Sequence, residues 1–397
     1  MIKIEEKSKC CGCWACKNVC PVQCITMKED EEGFRYPEVD ESKCINCHLC
    51  EKVCPELKPE YNDDAPLKSY AIQQKDDEIL RESTSGGFYS ALSAYVIRNG
   101  GVVFGAAFDE NMILRHQYAE TLEDCAKFRG SKYVQSLIGD TYSKALQFLK
   151  DGRLVAFSGT PCQIAGLYGF LGKRKFDNLV TVDLVCHGTP SPRLLKKYFD
   201  QAADKYQSKV TDYRSRDKYY GYQFSTATIT FTDKDKEYHK GMEADHMLRL
   251  YFKNLISRPS CYDCHYKTIN RISDITIFDC WDAQNISKVF NANGATNVFI
   301  HTSNGEHFFE EIKNDFKFAP TDYRKIVATD GVMIKKCPPL NPKRIQFFKD
   351  LNNLPLEEVE HIYDPISPLQ KILISIKPAM CRLGIFRIYM KIKRIGK

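Results

Sequence analysis

Residues 10–21 read Cys-Cys-Gly-Cys-Trp-Ala-Cys-Lys-Asn-Val-Cys-Pro, and residues 44–55 read Cys-Ile-Asn-Cys-His-Leu-Cys-Glu-Lys-Val-Cys-Pro. Laid over each other they are one run written twice: Cys10, Cys13, Cys16 and Cys20 before Pro21, then Cys44, Cys47, Cys50 and Cys54 before Pro55. Three closely spaced thiolates can hold one face of a cubane iron–sulfur cluster, while the fourth, displaced by the following proline, reaches across to a second cluster. The spacing therefore predicts two 4Fe-4S clusters, one on Cys10, Cys13, Cys16 and Cys54 and one on Cys20, Cys44, Cys47 and Cys50. A pair of this kind moves electrons.

Two plainer readings are weaker. A disulfide framework needs an oxidising compartment, and the leading MIKIEEKSKCCGC carries no apolar signal segment. Zinc is satisfied by two Cys-x-x-Cys pairs and has no need of a third spaced cysteine followed by x-x-x-Cys-Pro. Cys11 and Cys24 fall outside the pattern, and Cys24 is expected to be a small passive thiol packed against a cluster.

The rest of the chain bounds the answer further. At 397 residues, with 43% hydrophobic and 27% charged residues, it reads as an ordinary globular protein of two or three domains. No stretch approaches the roughly 20 apolar residues of a membrane span. Cysteine-rich sequence without a signal segment points to a reducing cytoplasm. The formal charge of +6 comes from the end: Lys371, Lys377, Arg382, Arg387, Lys391, Lys393, Arg394 and Lys397 have no acidic neighbour, and residues 1–370 alone carry −2. A near-neutral body gives no footprint for nucleic acid. In the tail, Leu369, Ile372, Leu373, Ile376, Leu383 and Ile385 alternate with the cations, and Pro378 is expected to split the stretch into two short helices. Such pieces can lie against the inner face of a membrane or pack on the protein's own body or another subunit, so a homo-oligomer stays open.

Residues 1–57 form the cluster module, with a charged hairpin loop over 28–37, and residues 58–68 read as a polar linker. Beyond it, Phe88, Ala91, Leu92, Tyr95 and Val96 share one helical face, and 102–108 is a buried strand. A helix at 141–150, a strand at 154–157, a helix at 162–171 and a strand at 179–185 make a βαβ unit with parallel pairing. Ser191-Pro192 starts another helix, the alternation from Ser225 reads as a hairpin, and a strand and helix occupy about 297–313. The expected fold is α/β: an N-terminal ferredoxin-like α+β module fused to an α/β flavin- and cluster-binding body. That body is divided at 69–150 and 151–320, and an extension runs over 321–397.

Four later cysteines form a second group: Cys162 in Gly-Thr-Pro-Cys-Gln, Cys186 in Cys-His-Gly, and the pair Cys261-x-x-Cys264. Cys162 and Cys186 follow apolar strands, at the carboxyl ends where open α/β sheets gather ligands. On spacing alone, a third cluster and a set of buried thiols beside half a zinc knuckle stand level.

At these residues the chain resembles the beta-subunit family of coenzyme F-420 hydrogenases and dehydrogenases. In order, the resemblance rests on the ferredoxin run, Ser83-Thr84-Ser85-Gly86-Gly87, Gly130-Ser131-Lys132-Tyr133, Gly159–Gln163, Cys186-His187-Gly188, Arg258-Pro259-Ser260-Cys261-Tyr262-Asp263-Cys264 and Ser273-Asp274-Ile275-Thr276. It covers about residues 1–320. Relatives include a plant chlorophyll-cycle reductase and bacterial proteins encoded with surface-polysaccharide enzymes. The resemblance implies FAD, cubane clusters, a third cluster on Cys162, Cys186, Cys261 and Cys264, and electron exchange with reduced ferredoxin or another redox protein.

It also marks flavin contacts at Ser83, Ser85, Gly86, Gly87, Ser131, Lys132, Tyr133 and Asp279. Glycines before a helix let backbone N–H groups approach a phosphate, and Lys132 can offset diphosphate charge or face the flavin ring. Read without the resemblance, these are a capped helix start and a solvated lysine. The family's Gly-Asp-aromatic-Trp becomes Phe278-Asp279-Cys280-Trp281 here, so the pocket is expected to be reshaped, with Cys280 as a small apolar residue. His187 and Lys132 are the candidate catalytic groups, His187 as a proton donor beside Cys186. The expected function is an iron–sulfur flavoprotein oxidoreductase acting on an organic small molecule. The rivals are an electron-transfer subunit that docks to a catalytic partner and a deazaflavin-linked reductase.

Overall fold

Parallel strands sit next to each other only when a crossover links them, and the order of this sheet follows from that constraint. A computed structural model describes residues 1–62, 64–172, 174, 176–383 and 385. Its strands are β1 (Ile25–Glu29), β2 (Arg35–Val39), β3 (Lys68–Gln74), β4 (Val102–Phe108), β5 (Leu114–Ala119), β6 (Val155–Gly159) and β7 (Leu179–Leu184). They continue with β8 (Val210–Asp217), β9 (Thr226–Phe231), β10 (Tyr238–Gly241), β11 (Ile275–Asp279), β12 (Thr296–Ile300) and β13 (Phe316–Pro320). Eight of them form one mixed sheet in the order β13-β3-β12-β11-β7-β6-β4-β5. Its centre, β11-β7-β6-β4, is parallel, and antiparallel strands flank it on both sides. The fold is α/β with a ferredoxin-like module in front.

Val102, Val103 and Phe104 of β4 and Val155, Ala156 and Phe157 of β6 are each fully buried, as expected for strands covered on both faces. The Phe88–Arg98 helix buries Phe88, Ala91, Leu92 and Val96 along one stripe and stops where Gly100 turns the chain at φ +72. The Pro161–Leu171 helix opens with a capping box, Thr160 paired reciprocally with Gln163, and proline in its first turn. The three-stranded sheet β10-β9-β8 lies outside the large one and shares a core with the Pro192–Tyr206, Arg344–Asn353 and Leu356–Tyr363 helices.

Strands from residues 68–119 and from 155–320 hydrogen-bond within the large sheet, β3 pairing with both β12 and β13. The charged 28–37 stretch contributes more than a loop: β1 and β2 pair across it, and only residues 30–34 turn. Asp30 Oδ1 accepts from the N–H groups of Glu32 (3.0 Å) and Phe34 (2.9 Å), and Phe34 is fully buried. Glu32 in that turn is held by Arg344, whose Nη1 donates to Oε1 at 2.8 Å, an ion pair joining residues 312 positions apart. Ser191 Oγ also donates to the Glu32 carbonyl, so helix 192–206 and helix 344–353 together clasp the module.

One expectation fails at the C-terminus. The Pro368–Arg382 helix runs through Pro378 without dividing there. A single proline removes one intrahelical hydrogen bond, and Lys377 beside it is anchored by an ion pair to Glu243. Leu369, Ile372, Leu373 and Ile376 remain exposed on this helix. The cations from Arg387 to Lys397 lie outside the described residues. No helix among the described residues is long and apolar enough to cross a membrane.

Candidate functional site

The two cysteine runs fold alike because each bends its backbone the same unusual way. Gly12 and Trp14 flank Cys13 at φ +69 and +65, and Asn46 and His48 flank Cys47 at φ +51 and +57. Left-handed residues on both sides of a cysteine curl the loop around its sulfur, and non-glycine residues in that region cost energy that a bound group must offset. Each loop then enters a short helix, Ala15–Val19 or Leu49–Lys52, carrying the third cysteine.

In space the thiols sort into two groups. Cys20, Cys44, Cys47 and Cys50 line one cavity, with Cys24 on its wall. The N–H groups of Ile2 and Cys24 point at its sulfurs, Ile2 to Cys50 at 3.3 Å and Cys24 to Cys20 at 3.4 Å. In the other group burial raises the thiol of Cys16, and the nearby Cys10 and Cys54 raise it further. Cys54 is raised by burial and then by Cys10, and Cys13 lies beside both Cys16 and Cys54. Burial favours the protonated thiol, so loading a metal here releases protons. Cys47 is exposed while Cys13, Cys16 and Cys54 are buried. The Cys20 group thus lies at the surface and the Cys10 group faces the body.

The later cysteines also converge. Cys162 sits in the first turn after β6 and Cys186 just beyond β7, at the carboxyl ends of adjacent parallel strands. Cys261 and Cys264 come from the Pro259–Asp263 turn. Burial raises Cys264, and Cys162, Cys261 and Cys186 add to it; burial, then Cys261, pushes Cys186 up to about 12. The Thr189 N–H points at Cys261 Sγ from 3.4 Å. Cys337 joins this group unannounced: the Cys264 N–H donates to its sulfur at 3.3 Å. Its sequence context, Cys-Pro-Pro, carries no ligand spacing. Cys11 is the other residue that spacing passed over. Its thiol is buried, and Cys13 and Cys162 both act on its titration, so it lies near a member of each group.

The module meets the body along helix 161–171. A Cβ on Gly166 would lie 2.7 Å from Cys13 Cβ, and one on Gly169 would lie 2.4 Å from the Val53 carbonyl oxygen, so both positions need glycine for this approach. At the same seam the Arg258 guanidinium donates to Cys10 O (2.6 Å), Arg35 O (3.1 Å) and Gln135 Oε1 (2.9 Å), and stacks on Tyr36 at 4.2 Å. Gln135 Nε2 in turn donates to Cys11 O at 2.9 Å.

The expected flavin residues gather in part. Ser85 Oγ donates to Asp279, whose carboxylate also receives Arg216 Nη1 at 2.6 Å and Tyr222 OH at 3.3 Å. Arg216 stacks on Trp281 at 4.6 Å, and Lys218 Nζ donates to Ser85 O at 2.7 Å. Burial brings Lys218 down to about 7. Ser131 Oγ reaches Thr84 Oγ1 at 3.2 Å, and Tyr133 packs on Tyr251 with ring centres 5.0 Å apart. Gly86 has a packing reason of its own: its N–H donates to Thr296 Oγ1 at 2.7 Å, and a Cβ would meet Ile72 O at 2.5 Å. Gly87, at φ +83, caps helix 88–98. Ser83 Oγ bonds back to Ile79 O at 2.7 Å.

Lys132 is not brought to this corner. Its ammonium, lowered by burial to about 7, donates to the carbonyls of Arg129 (2.7 Å), Lys127 (2.8 Å) and Ala106 (3.2 Å). His187 lies beside Cys186, lowered by burial, with Nε2 2.8 Å from Asn254 Oδ1 and its ring edge-on to Tyr251. Cys280 is fully buried in an apolar cluster with Ala71, Ala283, Phe290 and Ala295, and Phe278 packs edge-on to Phe299. Sequence spacing offered no sign of Arg216, Lys218 or Tyr222, which stand on or just after the irregular strand β8.

Residues 9–57 match the family described as 4Fe-4S dicluster domain. Residues 152–324 match the family that describes the C terminus of the coenzyme F420 hydrogenase/dehydrogenase beta subunit. No curated protein matches. Among solved structures, a chain of the F420-reducing NiFe hydrogenase complex from Methanosarcina barkeri, in a xenon derivative, is 18% identical with a TM-score of 0.44. The match covers 76% of this chain and 94% of that one. The chain thus carries, behind a 4Fe-4S dicluster domain, a region that matches the C-terminal domain of the coenzyme F420 hydrogenase/dehydrogenase beta-subunit family.

Proposed function

We propose that this iron–sulfur protein is a flavin-dependent oxidoreductase with three cluster sites in a row. The outer site is Cys20, Cys44, Cys47 and Cys50; the inner site is Cys10, Cys13, Cys16 and Cys54; the body site is Cys162, Cys186, Cys261 and Cys264. What supports the reading is Cys11, whose buried thiol lies near one member of the inner group and one of the body group. Three groups of four thiols so linked form a path from the exposed Cys47 to the carboxyl edge of the sheet. When bound, cubane clusters carry electrons singly, and a flavin converts single electrons into pairs.

The flavin diphosphate is assigned to the Ser83–Gly87 turn. Arg216 and Lys218 bring donors to that turn beside Asp279, and Lys218, lowered to about 7 by burial, would regain its charge beside a diphosphate. The residues Asp279 and Tyr222 position Arg216, and Trp281 covers its other face. The substrate is an organic molecule, with the sugar intermediates of surface-polysaccharide synthesis as the class the resemblance offers. A second reading, an electron-transfer subunit that hands electrons to a catalytic partner, is favoured by the family's description as a beta subunit.

Anaerobically reconstituted full-length protein should hold about twelve irons, four per cubane, and one acid-releasable FAD. Cys264→Ala should reduce the iron to about eight with the flavin kept. Unchanged iron in that variant sinks the body site, and flavin missing from every preparation sinks the flavoenzyme. Reduction of a small molecule by the purified chain alone separates the enzyme from the subunit.

A further inference from the structure

A buried cation needs an anion nearby, because leaving a charge unpaired in a protein interior costs several kcal/mol. Arg258 is 1% exposed. Its nitrogens meet two backbone carbonyls, the Gln135 amide oxygen and the ring of Tyr36, all of them neutral. Among the described residues no carboxylate lies within ion-pair distance of it. Glu56, which feels its charge from further off, is 3.5 Å from His265. Glu32, across the same seam, is taken by Arg344. The remaining polar contact is a sulfur: Arg258 Nη2 points at Cys10 Sγ from 3.5 Å.

We infer that Arg258 is the counter-ion of the inner cluster site, a positioning residue that sets how readily the group held by Cys10 accepts an electron. The inference rests on the reading of Cys10, Cys13, Cys16 and Cys54 as cluster ligands. Thiolate ligation puts negative charge on Cys10, which supplies the anion that the protein part of the site lacks. The placement is tight. A Cβ on Gly12 would lie 2.7 Å from Arg258 Nη1, so only glycine lets the loop close over the guanidinium. Arg258 also immediately precedes the turn that carries Cys261 and Cys264, and its charge reaches Cys261 as well as Cys10. One guanidinium therefore stands between the inner and body sites, nearer the inner one by direct contact. Hydrogen bonds to sulfur and nearby charge are what tune cluster potentials, and a cation favours the state with the extra electron. Removing it should make the inner site harder to reduce.

Potentiometric titration followed by electron paramagnetic resonance, with iron counted in each sample, tests this on full-length protein. In Arg258→Met the iron should stay at the wild-type level and one midpoint should move to more negative potential, with the outer site unmoved. In Arg258→Lys, which keeps the charge but cannot fork to Cys10, Gln135 and Arg35 together, that midpoint should stay nearer the wild-type value. If Arg258→Met yields no loaded protein, Arg258→Lys decides by itself: a full iron count with a near wild-type midpoint supports the counter-ion, and loss of the inner iron despite the retained charge overturns it. Unmoved midpoints in a fully loaded Arg258→Met, or equal shifts in both variants, also overturn it. Failure of the underlying ligand reading looks different, because wild-type protein would then lack the inner cluster's signal.

Discussion

The ferredoxin-like module and the sheet-bearing body are stabilised by different means. Of the 13 buried hydrophobic residues in residues 1–57, six are cysteines. The core around β3, β4, β6, β7, β11 and β12 is built from Ile72, Phe88, Leu92, Val96, Val103, Val180, Ile275, Val298 and Phe309. A segment of fewer than about 60 residues rarely buries enough apolar surface to fold alone, and here cysteines, four of them in the cluster spacing, take the place of aliphatic packing. The lesson is that spacing specifies the first region and periodicity the second.

The largest effect that can break this contrast is iron removal. Stripping the metal anaerobically should abolish hydrogen-exchange protection in Ile25–Val39 and in the helices at Ala15–Val19 and Leu49–Lys52. Amides of β4, β6 and β7 should keep theirs. Simultaneous loss in both regions would mean the two share one source of stability.

The seam between them is sharpened by Gly166→Val. The added side chain has Cys13 Cβ, Tyr142 Oη and Cys13 Sγ within 3.0 Å of its first carbon. Overpacking of this kind costs about 1–3 kcal/mol. Thermal unfolding should fall accordingly, and the inner site should lose iron faster to a chelator than the outer. Equal loss from both sites would show that helix 161–171 does not support the inner one in particular.

The smallest effect lies wholly on the body side. Asp364 is fully buried and is held by His246 at 2.9 Å, Arg249 at 2.6 Å and Lys253 at 2.7 Å. Burial alone would raise its pKa, but these donors draw it from the ordinary 3.8 down to about 2. A carboxylate depressed on folding contributes stability that is present above pH 3.8 and lost as the pH falls towards 2. That contribution is about 2 kcal/mol. Asp364→Asn should therefore melt earlier than wild type at neutral pH, and the gap should close between pH 4 and pH 2. A gap that does not change with pH would assign the loss to packing.

How much of this was legible follows from the same contrast. The cysteine run could be read because cluster chemistry dictates intervals, and helix 88–98 and the β6–β7 crossover could be read because apolar spacing dictates faces. Strand β8 escaped notice. Its Asp212, Arg214, Arg216 and Asp217 look like solvated charge, yet Arg216 is buried against Asp279 and the strand carries register shifts. Lys132 had the sequence context of a cofactor contact, and only tertiary structure shows three carbonyls around its ammonium. Cys11 and Cys337 carry no ligand spacing, so the nearness of Cys11 to Cys162 and of Cys337 to Cys264 appears only once distant segments meet. Arg258 was visible as part of a motif, but its neutral surroundings were not.

The clasp on Glu32 has a consequence for biosynthesis. Its partner Arg344 is made 312 residues later. At ribosomal rates of about 5–20 residues per second, that interval lasts on the order of 15–60 s. During it the complete cysteine module has left the ribosome while the segment that fastens its hairpin to the body does not yet exist. The hairpin turn therefore stays unfastened on the nascent chain until synthesis passes residue 344, and an early stop before that residue would leave it so.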